Sequence, residues 1–458
     1  MSLINALVNR TAYSYEDAFK AKDCTTQPMR IAIDDWFQLY FQREPTKDED
    51  PCQRIPYTVV NKITKTVFGE YQASSTDRFA ERILETLDVK KQEAMQMALV
   101  GGSCLLKPVP LPRGWRWHVV SRANLCVFGR DADGRYSDIG TIEVTTRGAN
   151  YYTFLERRRV DDRGYLTITN QLYKSTSAAS LGSLCSLQEL PQYAEYPPSY
   201  TFTVPFHSVG LVELRTPMVN CVDGSADAVS VYAAAVGLIH NINRNEAQID
   251  GEFSRGESRI ITSSDMMTRD PETGKRRFTD HIFVGLDDDI DNVGVTIFSP
   301  ELREQSFLAR KQEYLRNVEN VIGLKRGLLS EVEAAERTAT EITSSAGDYN
   351  LTIIDFQKMW ESAVKEAVRL CGILGPLYKV SEAHEVSEDS VSIDWGNGIL
   401  FDEDKTWDDY KAMVAAGLLK PEIALGWRFG MPTETPEDLA KIREKYMPEM
   451  EKLTEEDE

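Results

Sequence analysis

The stretch from Thr338 to Leu374 constrains this chain more than any other. Apolar residues stand at Ile342, Ala346, Tyr349, Ile353, Phe356, Trp360, Ala363, Ala367, Leu370 and Leu374. Their spacing alternates between three and four residues, which is one stripe of a long α-helix. Thr338 with Glu341 three residues on is a capping box at its start. Gly375-Pro376 predicts its end, since proline cannot continue a helix and disfavours the α region in the residue before it. At 1.5 Å per residue the helix spans about 55 Å, whereas most helices in globular proteins run three or four turns. Taken alone, the stripe reads as a core helix of a large α-rich domain.

The rest of the chain sets bounds. Its 458 residues leave room for about two to four domains and a substantial core. No apolar run reaches the roughly 18 residues a membrane span needs. Met1 to Arg10 lacks the basic flank and apolar core of a signal peptide, which predicts a chain that is not secreted. Cys24, Cys52, Cys104, Cys126, Cys185, Cys221 and Cys371 lie far apart with no CxxC, and read as free thiols in a reducing compartment. A formal charge of −20 argues against tight gripping of nucleic acid, which needs clustered Lys and Arg. It leaves room for a protein that DNA passes without sticking.

In chain order, residues 1–102 read as helical. Trp36, Phe37, Tyr40 and Phe41 form an aromatic face, and Pro56 opens a helix through Val60, Ile63 and Val67. Ser75 or Thr76 caps a further helix with Phe79, Ile83, Leu87, Met95 and Leu99 inward, ending at Gly101-Gly102. From Cys104 the period becomes two. Runs around Trp115–Val119, Thr141–Thr146, Tyr151–Arg158 and Tyr165–Lys174, parted by turn residues, predict an antiparallel meander with one solvated face. Ser175 to Pro198 reads as loop, and Tyr200 to Leu214 as a short β segment. Ser225 caps a predicted helix to Glu252, whose Ala228 to Ile242 half is apolar nearly all round and fits packing between subunits. Phe253 to Pro300 is a compact insert with strand-like Arg259–Thr262, His281–Val284 and Val293–Phe298 and turns at Asp270-Pro271 and Thr273-Gly274. Glu301 opens a helix with Phe307, Leu308, Tyr314, Leu315, Val318, Val321 and Ile322 near heptad spacing, stopping at Gly323. After Pro376 come a strand at Val391–Asp394, a helix from Lys405 to Ala416 with Gly417 at its C′ position, a helix opened by Pro421, and a third opened by Thr435-Pro436. Glu451 to Glu458 is a charge run of disordered composition.

Catalytic and ligand motifs are missing. There is no GxxxxGK[ST], HExxH or GxSxG. The acidic run Asp287–Asn292 fails as a calcium loop, with Asn292 where glycine is required and Phe298 where glutamate is required. No metal site, cofactor or catalytic residue is assigned. A dispersed Ser-His-Asp set is recognisable only by geometry.

One layout remains: a helix, a small β-rich insert, a helix back, a short loop and a very long helix. This layout, the run Arg337-Thr338-Ala339-Thr340-Glu341-Ile342 and the turn Gly417-Leu418-Leu419-Lys420-Pro421-Glu422 resemble the portal proteins of tailed double-stranded DNA bacteriophages, in particular those of phages of Gram-positive bacteria. The resemblance covers roughly Ile31 to Met447. It implies an α+β portal-type fold assembled as a ring, twelve subunits in the virion, through which DNA is packaged and ejected at one capsid vertex.

The resemblance further implies the following parts: wing, 1–224; stem helices, 225–252 and 301–322; clip, 253–300; tunnel loop, 323–337; long helix, 338–375; wing return, 376–401; crown, 402–447; acidic tail, 448–458. Lys325, Arg326, Gly327, Leu328, Leu329 and Ser330 would face DNA. Val231, Tyr232, Val236, Ile239, Leu308, Leu315 and Val318 would pack stem against stem. Arg269, Lys275, Arg276 and Arg277 would meet clip partners. Implied partners are the terminase large subunit, scaffolding and major capsid proteins, a head–tail connector, and double-stranded DNA without sequence specificity; no membrane is involved. The alternatives are a large α+β hydrolase with a dispersed site, or another phage structural protein without a DNA channel.

Overall fold

The computed structural model describes residues 15–41, 53–255, 259–262, 267–269, 274, 276–278, 295–298, 303–331, 339–387, 390–396, 403–433 and 435–447. Two compact units are present: Met1–Val67 with Ser74–Val391, and Phe68–Ala73 with Ser392–Glu458. Several readings fall outside the described residues: the Thr338 cap, the strand at His281–Val284, the acidic run 287–292, Lys275, Cys52 and the tail.

The larger unit begins with helices α1 (Glu16–Phe19), α2 (Gln27–Phe41), α3 (Ile55–Val67), α4 (Arg78–Asp88) and α5 (Lys91–Gly101). Trp36, Phe37 and Tyr40 are buried, as their spacing on α2 requires. Asp77, not Ser75 or Thr76, caps α4, accepting the Phe79 and Ala80 N–H groups at 2.9 and 3.0 Å. The expected single helix to Gly102 is broken at Val89-Lys90, where Lys90 N–H bonds the Leu87 carbonyl at 2.8 Å, and α5 turns to pack on α2 and α3.

The chain then alternates. Strands β2 (Ser103–Leu111) and β3 (Gly114–Ser121) pair in a sheet completed by β10 (Val212–Arg215). Strands β4 (Leu125–Arg130), β5 (Tyr136–Arg147), β6 (Asn150–Val160), β7 (Tyr165–Ser175) and β8 (Ser183–Cys185) form an antiparallel meander, with β9 (Ser199–Pro205) also on β7. Ser175 to Pro198 is thus not only loop, since it supplies β8. Along β7 buried and half-buried residues alternate, the signature of one covered face.

A buried ion cluster ties the two sheets together. Lys107 on β2 lies 2.7 Å from Glu156 on β6, and Arg158 Nε lies 2.6 Å from the other Glu156 oxygen. Arg158 also donates to the carbonyls of Val209 and Gly210 at 3.1 and 3.2 Å. All three charged residues are buried. Burial pushes the Glu156 carboxyl up, but Arg158 and Lys107 outweigh it and bring it down to about 2.

The segment after Gly224 departs from expectation. Ser225 caps no helix. Residues 225–232 run without helix, and α6 spans Val236–Arg255 after one 3-10 turn. The cause lies at the end of α5, whose terminal carbonyls have no partner inside the helix. Leu99 O accepts both Val231 N–H (2.9 Å) and Ser230 Oγ–H (3.1 Å). Asp227 pairs with Arg130 at 2.6 Å and with the fully buried Arg122 at 3.3 Å. Gly102, at φ +80°, permits the crossing: a Cβ there would stand 2.5 Å from the Ala228 backbone. Ala228, Val229, Val231, Tyr232, Ala235, Ile239 and Ile242 are thus buried in their own chain, while Ala234 and Gly237 stay exposed.

Beyond α6, strands β11 (Arg259–Thr262) and β14 (Val295–Phe298) pair antiparallel, as do β12 (Met267–Arg269) and β13 (Arg276–Phe278). The predicted turn residues Asp270, Pro271 and Thr273 lie outside the described residues. Helix α7 (Glu304–Ile322) begins at Glu304, three residues after the predicted start, and ends at Gly323 in the left-handed region. Helix α8 (Ala339–Leu377) has 39 residues. It runs through Gly375 and Pro376 to Leu377, with Tyr378 N–H still bonded to Leu374 O at 3.0 Å. Lys379, at φ 55°, marks the end. Ile353, Phe356, Trp360, Ala363, Ala367, Leu370 and Leu374 are all buried.

The smaller unit holds α9 (Glu403–Ala415), α10 (Pro421–Arg428) and α11 (Pro436–Tyr446). Thr435 caps α11, Gly417 takes φ +72°, and Glu422 accepts from Arg443 Nε at 2.8 Å. Val391–Asp394 forms a strand (β15) paired with β1 (Gln72–Ser75).

Substituting Glu156→Gln leaves two buried cations facing a neutral amide, so urea unfolding should report a loss of about 3–5 kcal/mol. The Glu156 contribution has a defined acid limit. With the folded carboxyl depressed from 4.5 to about 2, its stabilisation is complete above the ordinary carboxyl value and is lost as pH falls through the folded one. A pH series of wild type against Glu156→Gln should converge on acidification.

Candidate functional site

Helices α6 and α7 form an antiparallel hairpin closed by polar contacts in register. Asn245 Nδ2 donates to Phe307 O at 3.1 Å, Lys311 meets Glu246 at 2.7 Å, and Arg303 holds both oxygens of Glu252 at 3.0 and 2.9 Å. Lys311 also reaches Gln53 at 3.2 Å. Of the seven residues assigned to packing between stems, Val231, Tyr232, Ile239, Leu315 and Val318 are buried within their own chain. Tyr232 shows why, its hydroxyl donating to Trp36 O at 2.8 Å. Val236 is half-buried, and Leu308 is 43% exposed. Two further apolar side chains of the hairpin reach solvent, Phe253 and Val321.

The loop after α7 is anchored by a residue that sequence reasoning passed over. Glu319 occupies the apolar face of α7 between Leu315 and Ile322 and is fully buried. Its Oε1 accepts the N–H groups of Gly327 (3.1 Å) and Ser330 (3.0 Å) and that of Leu329, while Oε2 accepts Ser330 Oγ–H at 2.7 Å. A carboxylate with this many donors is stable without water. Gly323 starts the turn and Gly327 (φ +91°) bends it back. Lys62 on α3 donates to the Leu328 carbonyl, and Gln312 accepts Glu331 N–H at 2.8 Å. A lone acid on an apolar stripe, four residues before a glycine, is the signal that could have found Glu319.

The predicted loop residues therefore divide. Ser330 is buried and Leu328 and Leu329 are half-buried, whereas Lys325, Arg326 and Gly327 are exposed. No described carboxylate lies within ion-pair distance of Lys325 or Arg326. The arrangement is a fixed backbone that presents two cations at its tip. Among the clip residues, Arg269 and Arg276 stand opposite each other across the β12–β13 pair, with Arg277 opposite Thr268.

A cavity of about 580 Å³ has Asp131, His207 and Ser208 among its lining residues, the residue types of an acyl-transfer triad. Their bonds lead elsewhere. Ser208 Oγ accepts Gly210 N–H at 3.2 Å, and Asp131 Oδ1 accepts the N–H groups of Asp133 and Arg135 at 3.0 and 2.8 Å. Among the described residues nothing links the three into a relay. No group of three or more metal-ligating side chains occurs among them, and no described helix is long and apolar enough to cross a membrane.

Replacing Glu319 with Gln removes the charged acceptor that Gly327, Leu329 and Ser330 N–H share and turns an amide donor toward Ser330 Oγ. Hydrogen exchange at residues 327–330, read by mass spectrometry, should accelerate by roughly 10- to 100-fold, the worth of about 1.5–3 kcal/mol for bonds to a charged acceptor.

Compared with known proteins, residues 132–457 match the family model described as "Phage portal protein, SPP1 Gp6-like". No curated protein matches the chain. Among solved structures, a chain from the "Neck of native GTA particle computed with C12 symmetry" is 12% identical with a TM-score of 0.48, covering 94% of this chain and 99% of that chain.

Proposed function

The chain belongs to the SPP1 Gp6-like family of phage portal proteins, and from that premise we propose that it closes into a ring of twelve copies around a channel for double-stranded DNA. The observation that carries this reading is the extent of the family match, residues 132–457. That span takes in the α6–α7 hairpin, the strand insert between its helices, the Glu319-anchored loop and the long helix α8. In the ring, the hairpin lines the channel and the insert at 253–300 faces the packaging motor, later the head–tail connector. The outer parts meet scaffolding and major capsid proteins at one vertex of the virion. Leu308, Val321 and Phe253, which the chain leaves exposed, are the side chains available for contacts between hairpins.

Electrostatics supports passage rather than capture. A formal −20 per subunit, repeated around a ring, repels the duplex from all sides. Screening over about 8 Å at physiological salt confines that field to surfaces near the DNA. Lys325 and Arg326 would be sparse phosphate contacts on a loop whose backbone cannot follow the moving strand. Each such contact is cheap to break, so the duplex slides. No step of bond making or breaking is assigned to the protein.

Class averages of the purified protein by electron microscopy, with mass by light scattering, should show a closed ring of about a dozen subunits with an open centre. Monomers or dimers persisting at high concentration would point to the hydrolase reading instead. The double variant Lys325→Glu/Arg326→Glu should assemble normally yet package less DNA; unchanged packaging would remove both from the channel mechanism.

A further inference from the structure

The segment after α8 contains a histidine that the channel reading does not use. His384 Nε2 lies 2.8 Å from Asp77 Oδ2, and Nδ1 lies 2.9 Å from the Glu382 carbonyl oxygen. Neither partner has a hydrogen to give. A carbonyl only accepts, and Asp77 is engaged as the N-cap of α4 through its other oxygen, which accepts Phe79 and Ala80 N–H. A neutral imidazole has one N–H and can satisfy only one of two acceptors; an imidazolium satisfies both. The ring also lies 5.6 Å from the Phe79 ring, centroid to centroid.

The surrounding contacts make this the fastening point of the segment. Glu382 pairs with Arg82 on α4 at 2.7 Å, and Ser381 N–H reaches Pro112 O at 3.2 Å. On the other side α8 presents glycines. A Cβ at Gly375 would stand 2.4 Å from Ala383 Cβ, and one at Gly372 would stand 3.0 Å from His384 O. The charged groups beside the ring in contact or in sequence are Asp77 at the cap of α4, Glu81 and Arg82 in its first turns, and Glu382 and Glu385 in its own segment. Glu81 is engaged by Ser75 N–H at 2.6 Å.

We propose that a proton on His384 clasps residues 378–387 onto the N-terminus of α4 beside the end of the long helix, and that losing this proton opens the clasp. The backbone carbonyl of Glu382, then Asp77, raises the histidine above its ordinary 6.5. A raised folded value means that the clasp contributes fully below the ordinary histidine value and is lost as pH rises through the raised one. The device is a pH-sensitive latch within one subunit and does not depend on the ring.

The test is hydrogen exchange by mass spectrometry on the full chain between about pH 6 and about pH 9, corrected for the intrinsic rate. In the wild type, protection of residues 378–387 should fall by about two- to fivefold on going alkaline, the worth of a half-exposed ion pair. His384→Gln should be weakly protected with no such fall. His384→Arg, permanently charged and able to donate twice, should stay protected across the range. A fall of equal size in His384→Gln, or no fall in the wild type, would overturn the proposal. If exchange across β5 and β6 shows His384→Gln to be globally unfolded, Asp77→Asn decides: asparagine keeps the cap through Oδ1 but turns an amide donor toward Nε2, which a neutral imidazole satisfies, so the alkaline fall should vanish, and a fall of wild-type size would overturn the proposal.

Discussion

The fold turns on carboxylates taken out of water. An ionised carboxylate is tolerable in a protein interior only where donors surround it, so each one dictates what must converge there. Glu156 draws β2 toward β6 and, through Arg158, fixes the chain leading into β10. Asp227 gathers Arg122 and Arg130 and holds the path of residues 225–232. Glu319 collects the backbone of the loop after α7. None of these arrangements tolerates partial satisfaction, which is why they specify geometry rather than only adding stability.

Much of this was legible in the sequence where local chemistry decides. The stripe through Ile353 and Trp360 became the buried face of α8, Gly323 and Gly417 took positive φ, and Thr435 capped its helix. Reading failed where partners are distant in sequence. Ala228 to Ile242 is apolar enough for a buried helix, but its first part is held out of helix by Leu99 O and Asp227, and no periodicity encodes a carbonyl more than a hundred residues away. Pro376 looked like a stop, yet so near a helix end it removes too little to act as one. Of the site residues, Lys325 and Arg326 are exposed in the loop after α7, while Glu319, whose carboxylate holds that loop, was hidden as one polar residue in an apolar stripe.

On the proposed reading, the loop after α7 would meet a moving polyanion. Its anchor Glu319 is buried and its carboxylate oxygens face backbone N–H groups and a hydroxyl of the loop rather than solvent. Its cations are carried on long, rotatable side chains beyond a backbone that is bonded at Gly327, Leu329 and Ser330. Stiffness and reach are thus assigned to different atoms.

The bond between Ser230 and Leu99 spans 131 residues, and strands β2 to β10 all lie between its ends. Contacts of such separation close late, because the intervening chain must first give up its freedom. A ribosome adding about 5–20 residues per second needs roughly ten seconds to traverse that interval. The end of α5 therefore waits with open carbonyls while the meander forms. The hairpin of α6 and α7 takes its place only afterwards, so a chain still leaving the ribosome carries no finished hairpin.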